Sequence, residues 1–141
     1  MKLIHMNGDL FSCPNYIPLA HCVSRDFRMS RGIAVSFQQN FNLRNELLTI
    51  KCFVGDMVAV NRGGRFICQL VTKERCFHKP RVQDLHCSLV SLRRFMETNR
   101  ISEIAIPKLS AGLDQIPLHV VIDIIYSVFH FAPVTIFMYH L

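Results

Sequence analysis

The spacing of apolar residues in the first part of the chain predicts short strands and helices. Residues 3–6 form an apolar run of strand length that Asn7-Gly8 ends, and residues 17–23 form a second one. The pattern then predicts a helix over residues 33–41 and a further helical piece near residues 45–48. Two strands followed by helices are therefore expected at the start of the chain.

Residues 56–71 carry the clearest local signal in the sequence. Two runs typical of strands, residues 56–60 and 65–71, lie on either side of Asn61-Arg62-Gly63-Gly64. Glycine adopts the positive φ that tight hairpin turns require without steric cost. The segment therefore predicts a β-hairpin.

The second half of the chain alternates helix and strand patterns. Residues 81–99 have the i, i+3, i+4 spacing of one helical face. A strand is predicted over residues 102–107, a helix over residues 117–131 and a closing strand over residues 134–139. The apolar positions of the long helix are Val82, Leu85, Leu89, Leu92 and Met96.

These elements predict one α/β domain that spans residues 1–141. The chain has 141 residues, half of them apolar, so it can bury a sizeable core but is too short for two domains. Nearly continuous apolar strands with helices between them indicate a sheet that helices cover on both faces. The hairpin makes that sheet mixed rather than purely parallel.

The apolar stretch of residues 119–141 is about as long as a membrane span. Asp123 and Pro133 interrupt it, and the pattern changes from helix to strand after Pro133, so two core elements are expected rather than a membrane segment. At the N-terminus, Asn7-Gly8-Asp9 comes before an apolar leader core is complete, so no export is predicted.

The chain has six cysteines and no C-x-x-C pair. Cys22 and Cys68 lie in apolar strand-like runs, which indicates reduced, buried thiols and a cytoplasmic or nuclear location. One cluster of metal-ligating side chains has spacings that fit no ordinary zinc site, so neither a metal nor another cofactor is expected. Its members are Cys76, His78, His86 and Cys87.

A net charge of +6 favours an anionic partner. The basic residues crowd two predicted loops, a pattern that fits either a solvated basic face or a phosphate-rich ligand. A nucleic acid is less favoured, because the sequence has no RNP-type aromatic motif, no helix-turn-helix and no poly-basic run. The two loops carry Arg25, Arg28 and Arg31, and Lys73, Arg75, Lys79 and Arg81.

Three predicted loops follow the C-terminal ends of strands, where open α/β sheets bind ligands. They are Gly8-Asp9-Leu10, residues 24–32 and residues 109–114. Gly32 and Gly112 would allow backbone N–H groups to approach phosphate oxygens closely. Neither the P-loop nor the G-x-G-x-x-G motif occurs, which disfavours a nucleoside triphosphatase or an ordinary dinucleotide site.

Short motifs are spread from the first predicted strand to the last. They are Gly8-Asp-Leu-Phe11, Leu19-Ala-His-Cys-Val-Ser24, Arg28-Met-Ser-Arg-Gly-Ile-Ala34, Val71-Thr-Lys73, His78-Lys-Pro80 and Gly112-Leu-Asp114. In order and spacing they resemble the macrodomain family, most closely its terminal ADP-ribose protein glycohydrolase branch. The resemblance implies a three-layer α/β/α macrodomain with a mixed, roughly six-stranded sheet.

The resemblance also implies ligand-binding roles. Asp9 would accept a hydrogen bond from the adenine amino group, and Leu10 would pack on the ring. His21 and Ser24 are further ligand-side candidates, although His21 also fits a core histidine. Two loops would wrap the diphosphate and the distal ribose. They are Met29, Ser30, Arg31, Gly32, Ile33 and Ala34, and Ser110, Ala111, Gly112 and Leu113.

Lys73 and Asp114 match the catalytic residues of the family. An unprotonated amine can capture the anomeric carbon of the distal ribose as a Schiff base, and a carboxylate can take a proton from a ribose hydroxyl as the ring opens. Arg75 is the positive charge that would assist Lys73. The implied function is removal of ADP-ribose from acidic side chains of proteins, and also hydrolysis of O-acetyl-ADP-ribose, by a monomer.

Both loops depart from the family pattern. Ser30 and Arg31 stand where small residues are typical, and Ser110-Ala111 stands where a Gly-Cys pair is usual. A side chain in place of a hydrogen narrows a phosphate cradle, although Arg31 can also pair with a phosphate. A non-catalytic ADP-ribose-binding module is therefore the alternative to an enzyme.

Overall fold

The computed structural model describes residues 1–109 and 116–141. Every predicted strand and helix is present there, with ends within about two residues of the predicted ones. The strands are β1 (Lys2–Asn7), β2 (Leu19–Ser24), β3 (Met57–Arg62), β4 (Arg65–Lys73), β5 (Glu103–Ile106) and β6 (Thr135–His140). The helices are α1 (Ile33–Phe41), α2 (Arg44–Leu47), α3 (Val82–Thr98) and α4 (Leu118–Phe129), with a 3-10 turn at Leu10–Ser12.

The strands form one mixed sheet in the order β1-β6-β5-β2-β4-β3. Neighbouring strands are parallel except for β3 and β4, which form the predicted hairpin. Gly63 and Gly64 make its turn with φ of 62° and 89°, the positive pair that a two-residue hairpin loop needs. The loop is shorter than predicted because Asn61 and Arg62 belong to β3.

Helices cover the sheet on both faces, so the fold is the expected three-layer α/β/α arrangement. On one face α3 and α4 pack against strand residues such as Ile104 and Leu70. On the other face Phe37 of α1 and Leu47 of α2 pack against residues such as Leu19. Parallel strands buried from both sides explain the nearly continuous apolar runs in the sequence.

The C-terminal apolar stretch divides where the sequence predicted. Helix α4 ends at Phe129, and after Pro133 the chain enters β6. Within residues 1–109 and 116–141, no helix combines the length and the apolar character needed to cross a membrane. The stretch instead supplies a core helix and a core strand.

The six cysteines are free thiols that differ in burial. Cys68 is fully buried, and its burial raises the pKa of the thiol to about 12. Cys22 is only half-buried, which corrects the prediction of a buried thiol at this position. Its side chain lies at the sheet edge where a crevice opens.

His21 lies in the core on the α1 face of the sheet. Its ring is fully buried and stacks on Phe37, with 3.7 Å between the ring centroids. Its Nε2 lies 3.1 Å from Oε1 of Gln69, whose amide nitrogen donates to two backbone carbonyls. Because Oε1 only accepts, Nε2 carries the proton. This placement corrects the ligand-side role and supports the core alternative.

Burial lowers the pKa of His21 to about 3, although the hydrogen bond to Gln69 opposes the shift. Between this value and the ordinary 6.5, the unfolded chain binds a proton that the folded chain does not. The free energy of unfolding should therefore fall as pH drops below about 6.5, by about 2 kcal/mol at pH 5 from this group. Urea denaturation at pH 7 and pH 5 measures the change.

The variant His21→Gln keeps an N–H donor near Gln69 but does not titrate. Its loss of stability between pH 7 and pH 5 should be smaller than the wild-type loss by about the amount assigned to His21. The matched control is His119→Gln, which alters an exposed histidine. Equal pH dependence in the wild type and His21→Gln would contradict the assignment.

Candidate functional site

A crevice of about 920 Å³ opens at the edge of the sheet where the parallel strands end. At this edge β2 and β5 are neighbours, yet the helix that follows β2 packs on one face of the sheet and α4 packs on the other. Chains that leave adjacent strands in opposite directions leave a gap between them, which is where such sheets bind ligands. The volume suits a small-molecule ligand.

The segment after β1 forms the first wall of the crevice. Gly8, Asp9, Leu10 and Phe11 line it. Asp9 caps the 3-10 turn, because its Oδ1 accepts a hydrogen bond of 3.0 Å from the Phe11 amide. Its Oδ2 has no hydrogen-bond partner among residues 1–109 and 116–141. The turn therefore fixes an exposed carboxylate whose second oxygen is available to a ligand.

The loop between β2 and α1 forms the second wall. Phe27 and Met29 adopt left-handed backbone conformations, with φ of 49° and 50°, and their side chains are buried. Such backbone costs about 1–3 kcal/mol per residue and persists only where packing fixes it. Here the two buried side chains anchor the loop in the core.

Helix α1 begins at this wall. Its N-cap is Gly32, whose φ of 61° and ψ of −148° belong to a region that essentially only glycine adopts. No side chain caps the helix, and Gly32, Ile33 and Ala34 line the crevice. The N–H groups of the first turn and their partial positive charge therefore face the crevice, as an anion site requires.

Lys73 ends β4 and lies half-buried in the crevice lining. An irregularity between Val23 and Ser24 shifts the register of β2, so that Ser24 pairs with Lys73. Such bulges often re-aim side chains beside functional sites. The bulge therefore brings Ser24, also a lining residue, beside Lys73.

The loop of residues 74–79 forms the third wall. It follows Lys73 directly and contributes Cys76, Phe77, His78 and Lys79 to the lining. Phe77 is 72% exposed, so its ring stands at the rim of the crevice rather than in the core. An exposed aromatic ring beside cationic side chains is typical of a ligand-binding rim.

The electrostatics of the crevice favour an anion. Among the described lining residues, Asp9 is the one acidic side chain, and it faces four basic ones. Positive side chains in a concave site concentrate the field and attract a negative ligand. Arg75, predicted to assist Lys73, is exposed and is not a lining residue. The basic lining residues are Arg31, Lys73, Lys79 and Lys108.

The structure brings most of the predicted site residues together, although they come from distant parts of the sequence. The described ones in the lining are Asp9, Leu10, Ser24, Met29, Ser30, Arg31, Gly32, Ile33, Ala34 and Lys73. His21 is not among them, as its place in the core requires. The predicted residues Ser110, Ala111, Gly112, Leu113 and Asp114 lie outside the described residues.

Several lining residues were not predicted as site residues. Phe77, His78 and Lys79 belong to a loop whose basic character was noted, and Lys108 follows a strand end, so both signals were present in the sequence. Tyr139 gave no such signal, because it lies in an apolar strand pattern. Cys22 stands in one of the family motifs but was predicted to be a buried thiol. Within the described parts of the chain, no three side chains of the metal-ligating types form a metal site.

Asp26 is a further residue that the sequence did not single out. It lies two residues beyond β2, and its carboxylate accepts hydrogen bonds from the Ser24 hydroxyl and from the backbone N–H groups of Cys76 and Arg28. Burial raises the pKa of Asp26, but these hydrogen bonds and the charge of Arg28 outweigh burial and lower the pKa below its ordinary value. Asp26 is therefore ionised at neutral pH.

Comparisons with known proteins place this geometry in a family, although no protein-family model matches the chain. The chain is 36% identical over 140 residues to the ADP-ribose glycohydrolase OARD1 of Homo sapiens, which covers 99% of this chain and 92% of that protein. The protein of the same name from Bos taurus matches equally well.

Solved structures share the fold along nearly the whole chain. The macrodomain of Thermus aquaticus DarG superposes with a TM-score of 0.89 at 23% identity, covering 99% of this chain and 98% of that one. Thermosipho africanus DarTG in complex with ADP-ribose superposes with a TM-score of 0.83 at 15% identity, covering 98% of this chain and 41% of that one. The chain therefore belongs to the macrodomain family, and the relatives that it matches at 36% identity are named ADP-ribose glycohydrolase.

Proposed function

We propose that the protein is a hydrolase that removes ADP-ribose from acidic side chains of proteins. The observation that carries the proposal is the position of Lys73, at the end of β4 in a cationic crevice that also contains the uncapped N-terminus of α1. This arrangement offers an amine and an anion-binding helix end to one ligand. The relative named ADP-ribose glycohydrolase supports the proposal.

The walls of the crevice suit the parts of ADP-ribose. The diphosphate would lie against the loop of residues 29–34, where backbone N–H groups and Arg31 meet it. The adenine would reach Asp9 and Leu10 at the first wall, and the terminal ribose would then extend toward Lys73. The solved structure of a DarTG protein in complex with ADP-ribose supports this class of ligand.

The proposed chemistry is a displacement at the anomeric carbon of the terminal ribose. The neutral amine of Lys73 forms a bond to this carbon, and the bond to the ester oxygen breaks, so that the electron pair leaves with the protein carboxylate. Asp114 takes a proton from the attached amine and gives it to the ring oxygen, as the bond between this oxygen and the anomeric carbon breaks and the protonated imine forms. Water then hydrolyses the imine, which releases ADP-ribose and restores the amine.

The proposal extends to O-acetyl-ADP-ribose as a further substrate. Its ester lies on the same terminal ribose, so the same crevice would place it near Lys73. A preference for protein-linked ADP-ribose would come from contacts outside the nucleotide. The exposed ring of Phe77 at the rim of the crevice is available for such contacts.

The second candidate function is ADP-ribose binding without hydrolysis. The observation that favours it is Arg31, an exposed cation in the loop that would hold the diphosphate. An arginine there strengthens anion binding whether or not turnover follows. Binding of ADP-ribose by the wild type together with no release from any ester-linked substrate would favour this function over hydrolysis.

Lys73→Ala should abolish hydrolysis and retain ADP-ribose binding, because it removes the nucleophile but leaves the walls. The rate of ADP-ribose release from a modified peptide should fall by about three orders of magnitude or more. Chromatography of released ADP-ribose measures the rate, and calorimetry measures the affinity. In the wild type, borohydride should reduce the imine and leave ADP-ribose covalently attached to Lys73.

The matched control for this test is Lys2→Ala, which removes an exposed lysine at the opposite end of the sheet. It should keep wild-type hydrolysis. Wild-type activity in Lys73→Ala, or borohydride trapping on a different residue, would exclude Lys73 as the nucleophile.

Asp9→Asn should weaken ADP-ribose binding without unfolding the first wall. Asparagine caps a helix about as well as aspartate, so the melting temperature should hardly change. The amide N–H₂ group would replace the oxygen that accepts the adenine amino hydrogen, and a hydrogen bond to a charged group contributes about 1.5–3 kcal/mol. Calorimetry should therefore show about ten- to hundredfold weaker binding.

The control for Asp9 is Asp123→Asn, an exposed carboxylate on α4 away from the crevice. It should bind ADP-ribose as the wild type does. Unchanged affinity in Asp9→Asn would show that Asp9 caps the turn and does not bind the adenine.

Arg31→Gly distinguishes a phosphate contact from a steric obstacle. If Arg31 pairs with the diphosphate, its loss should weaken ADP-ribose binding by about fivefold at low salt, the scale of an exposed ion pair. The effect should shrink as salt is added, because salt screens exposed charges. Tighter binding by Arg31→Gly would show that the side chain obstructs the cradle.

A further inference from the structure

Asp26 lies between two walls of the crevice without lining it. The loop that contains it leads to the second wall, and the loop of residues 74–79 forms the third. Each wall leaves the sheet at a different strand end, β2 or β4, and beyond the last strand pair the sheet no longer fixes their separation. A contact between the loops is therefore needed to hold the two walls together.

The carboxylate of Asp26 makes contacts to both walls. Its Oδ1 accepts from the Ser24 hydroxyl and, at 3.3 Å, from the backbone N–H of Arg28. Its Oδ2 accepts from the backbone N–H of Cys76 at 3.2 Å. These donors converge on one side chain, and a carboxylate has the two acceptor oxygens that they require.

The contacts of the Asp26 segment involve Ser24 and Lys73, which are proposed to act on the ligand. The Ser24 hydroxyl donates a hydrogen bond to Asp26. Its oxygen can therefore only accept a hydrogen bond from a ligand. The backbone N–H of Arg25, next to Asp26, donates to the carbonyl oxygen of Lys73 at 2.8 Å. A shift of the Asp26 segment would therefore move both Ser24 and the backbone of Lys73.

A second contact between the same loops is weaker. Arg25 pairs with Glu74 at 3.2 Å, with side chains that are 38% and 52% exposed. Ion pairs exposed to this degree are screened by water and salt and contribute little. Asp26, by comparison, is half-buried, and its carboxylate accepts charge-assisted hydrogen bonds from two backbone N–H groups.

We propose that the Asp26 carboxylate is a clasp that holds the second and third walls together and thereby positions Lys73 and the Ser24 hydroxyl. Asp26 is a positioning residue in this proposal, because it does not line the crevice itself. The positioning of Lys73 for catalysis rests on the proposed function, whereas the contact between the walls does not.

The test substitutes Asp26 by asparagine. The amide keeps one acceptor oxygen and must turn N–H₂ toward either Ser24 and Arg28 or Cys76, so the clasp is lost on one side. With an ADP-ribosylated peptide as substrate, kcat should fall by about ten- to hundredfold, the scale of a small misplacement of a reacting group. KM and the Kd for ADP-ribose should change by less than kcat, because the helix N-terminus remains.

Amide hydrogen exchange locates the effect in the structure. In Asp26→Asn, exchange should accelerate at Cys76 and Arg28 and remain slow in β2 and β4, whether or not the protein hydrolyses anything. Glu74→Gln, which breaks the weaker contact between the same loops, is the matched control and should keep the wild-type kcat. Asp26→Glu keeps the charge on a longer side chain and should recover part of the lost kcat. If Asp26→Asn does not fold, Asp26→Glu is the variant to be tested.

The outcomes separate the two proposals. Faster exchange at Cys76 and Arg28 with a kcat-selective loss supports the clasp. If the wild type has no hydrolase activity, the proposed function fails, and faster local exchange with altered ADP-ribose affinity still supports the contact between the walls. Unchanged exchange at both amides, or faster exchange throughout the sheet with equal effects on kcat and KM, overturns the clasp.

Discussion

The pairing of β2 with β4 is the interaction on which the crevice depends. The two strands are parallel and central, so their C-terminal ends reach the same edge of the sheet. The bulge at Ser24 then brings this residue beside Lys73 at the point where both chains leave the sheet. A one-residue change in this register would turn side chains to the opposite face, because strand side chains alternate. The backbone hydrogen bonds between these strands therefore place Lys73 at this edge of the sheet.

Core and crevice use the same loop for different purposes. Phe27 and Met29 point into the core and hold strained backbone in place, while the residues after them face the crevice. The strain persists because two buried apolar side chains offset its cost. A rigid loop presents its N–H groups to an anion without having to be ordered on binding, which favours affinity. The same two buried side chains therefore stabilise the core and fix the backbone conformation of the loop at the crevice.

Charge is distributed unevenly around the two loops that meet at the crevice. Some of their basic residues are used within the fold, such as Arg25, which pairs with Glu74 and also lies 4.9 Å from the ring of Phe53. Others, such as Arg31 and Lys79, face the crevice. Asp26 lies near these basic residues, and its carboxylate accepts hydrogen bonds from backbone N–H groups. The positive potential of the crevice therefore does not follow from net charge alone.

Local patterns in the amino-acid sequence were enough to predict the order, type and approximate ends of the helices and strands. Those are local properties, because the period of apolar residues and the glycines of the hairpin act within a few residues. The sequence also indicated Asp9, Gly32 and Lys73 as site residues, because loops at strand ends and the family motifs mark them in the chain. His21 stands in one of these motifs, yet only the packing of its ring on Phe37 shows that it belongs to the core.

Which residues meet in the crevice depends on how the strands and helices pack together. Tyr139 and Cys22 lie in strand patterns, and only the order of the strands brings them to the same edge. The contact of Asp26 with Cys76 joins residues that are 50 positions apart. No local pattern encodes such a pair. The periodicity of apolar residues indicates which face of a helix or strand is buried. The order and register of the strands decide which residues of other elements that face contacts.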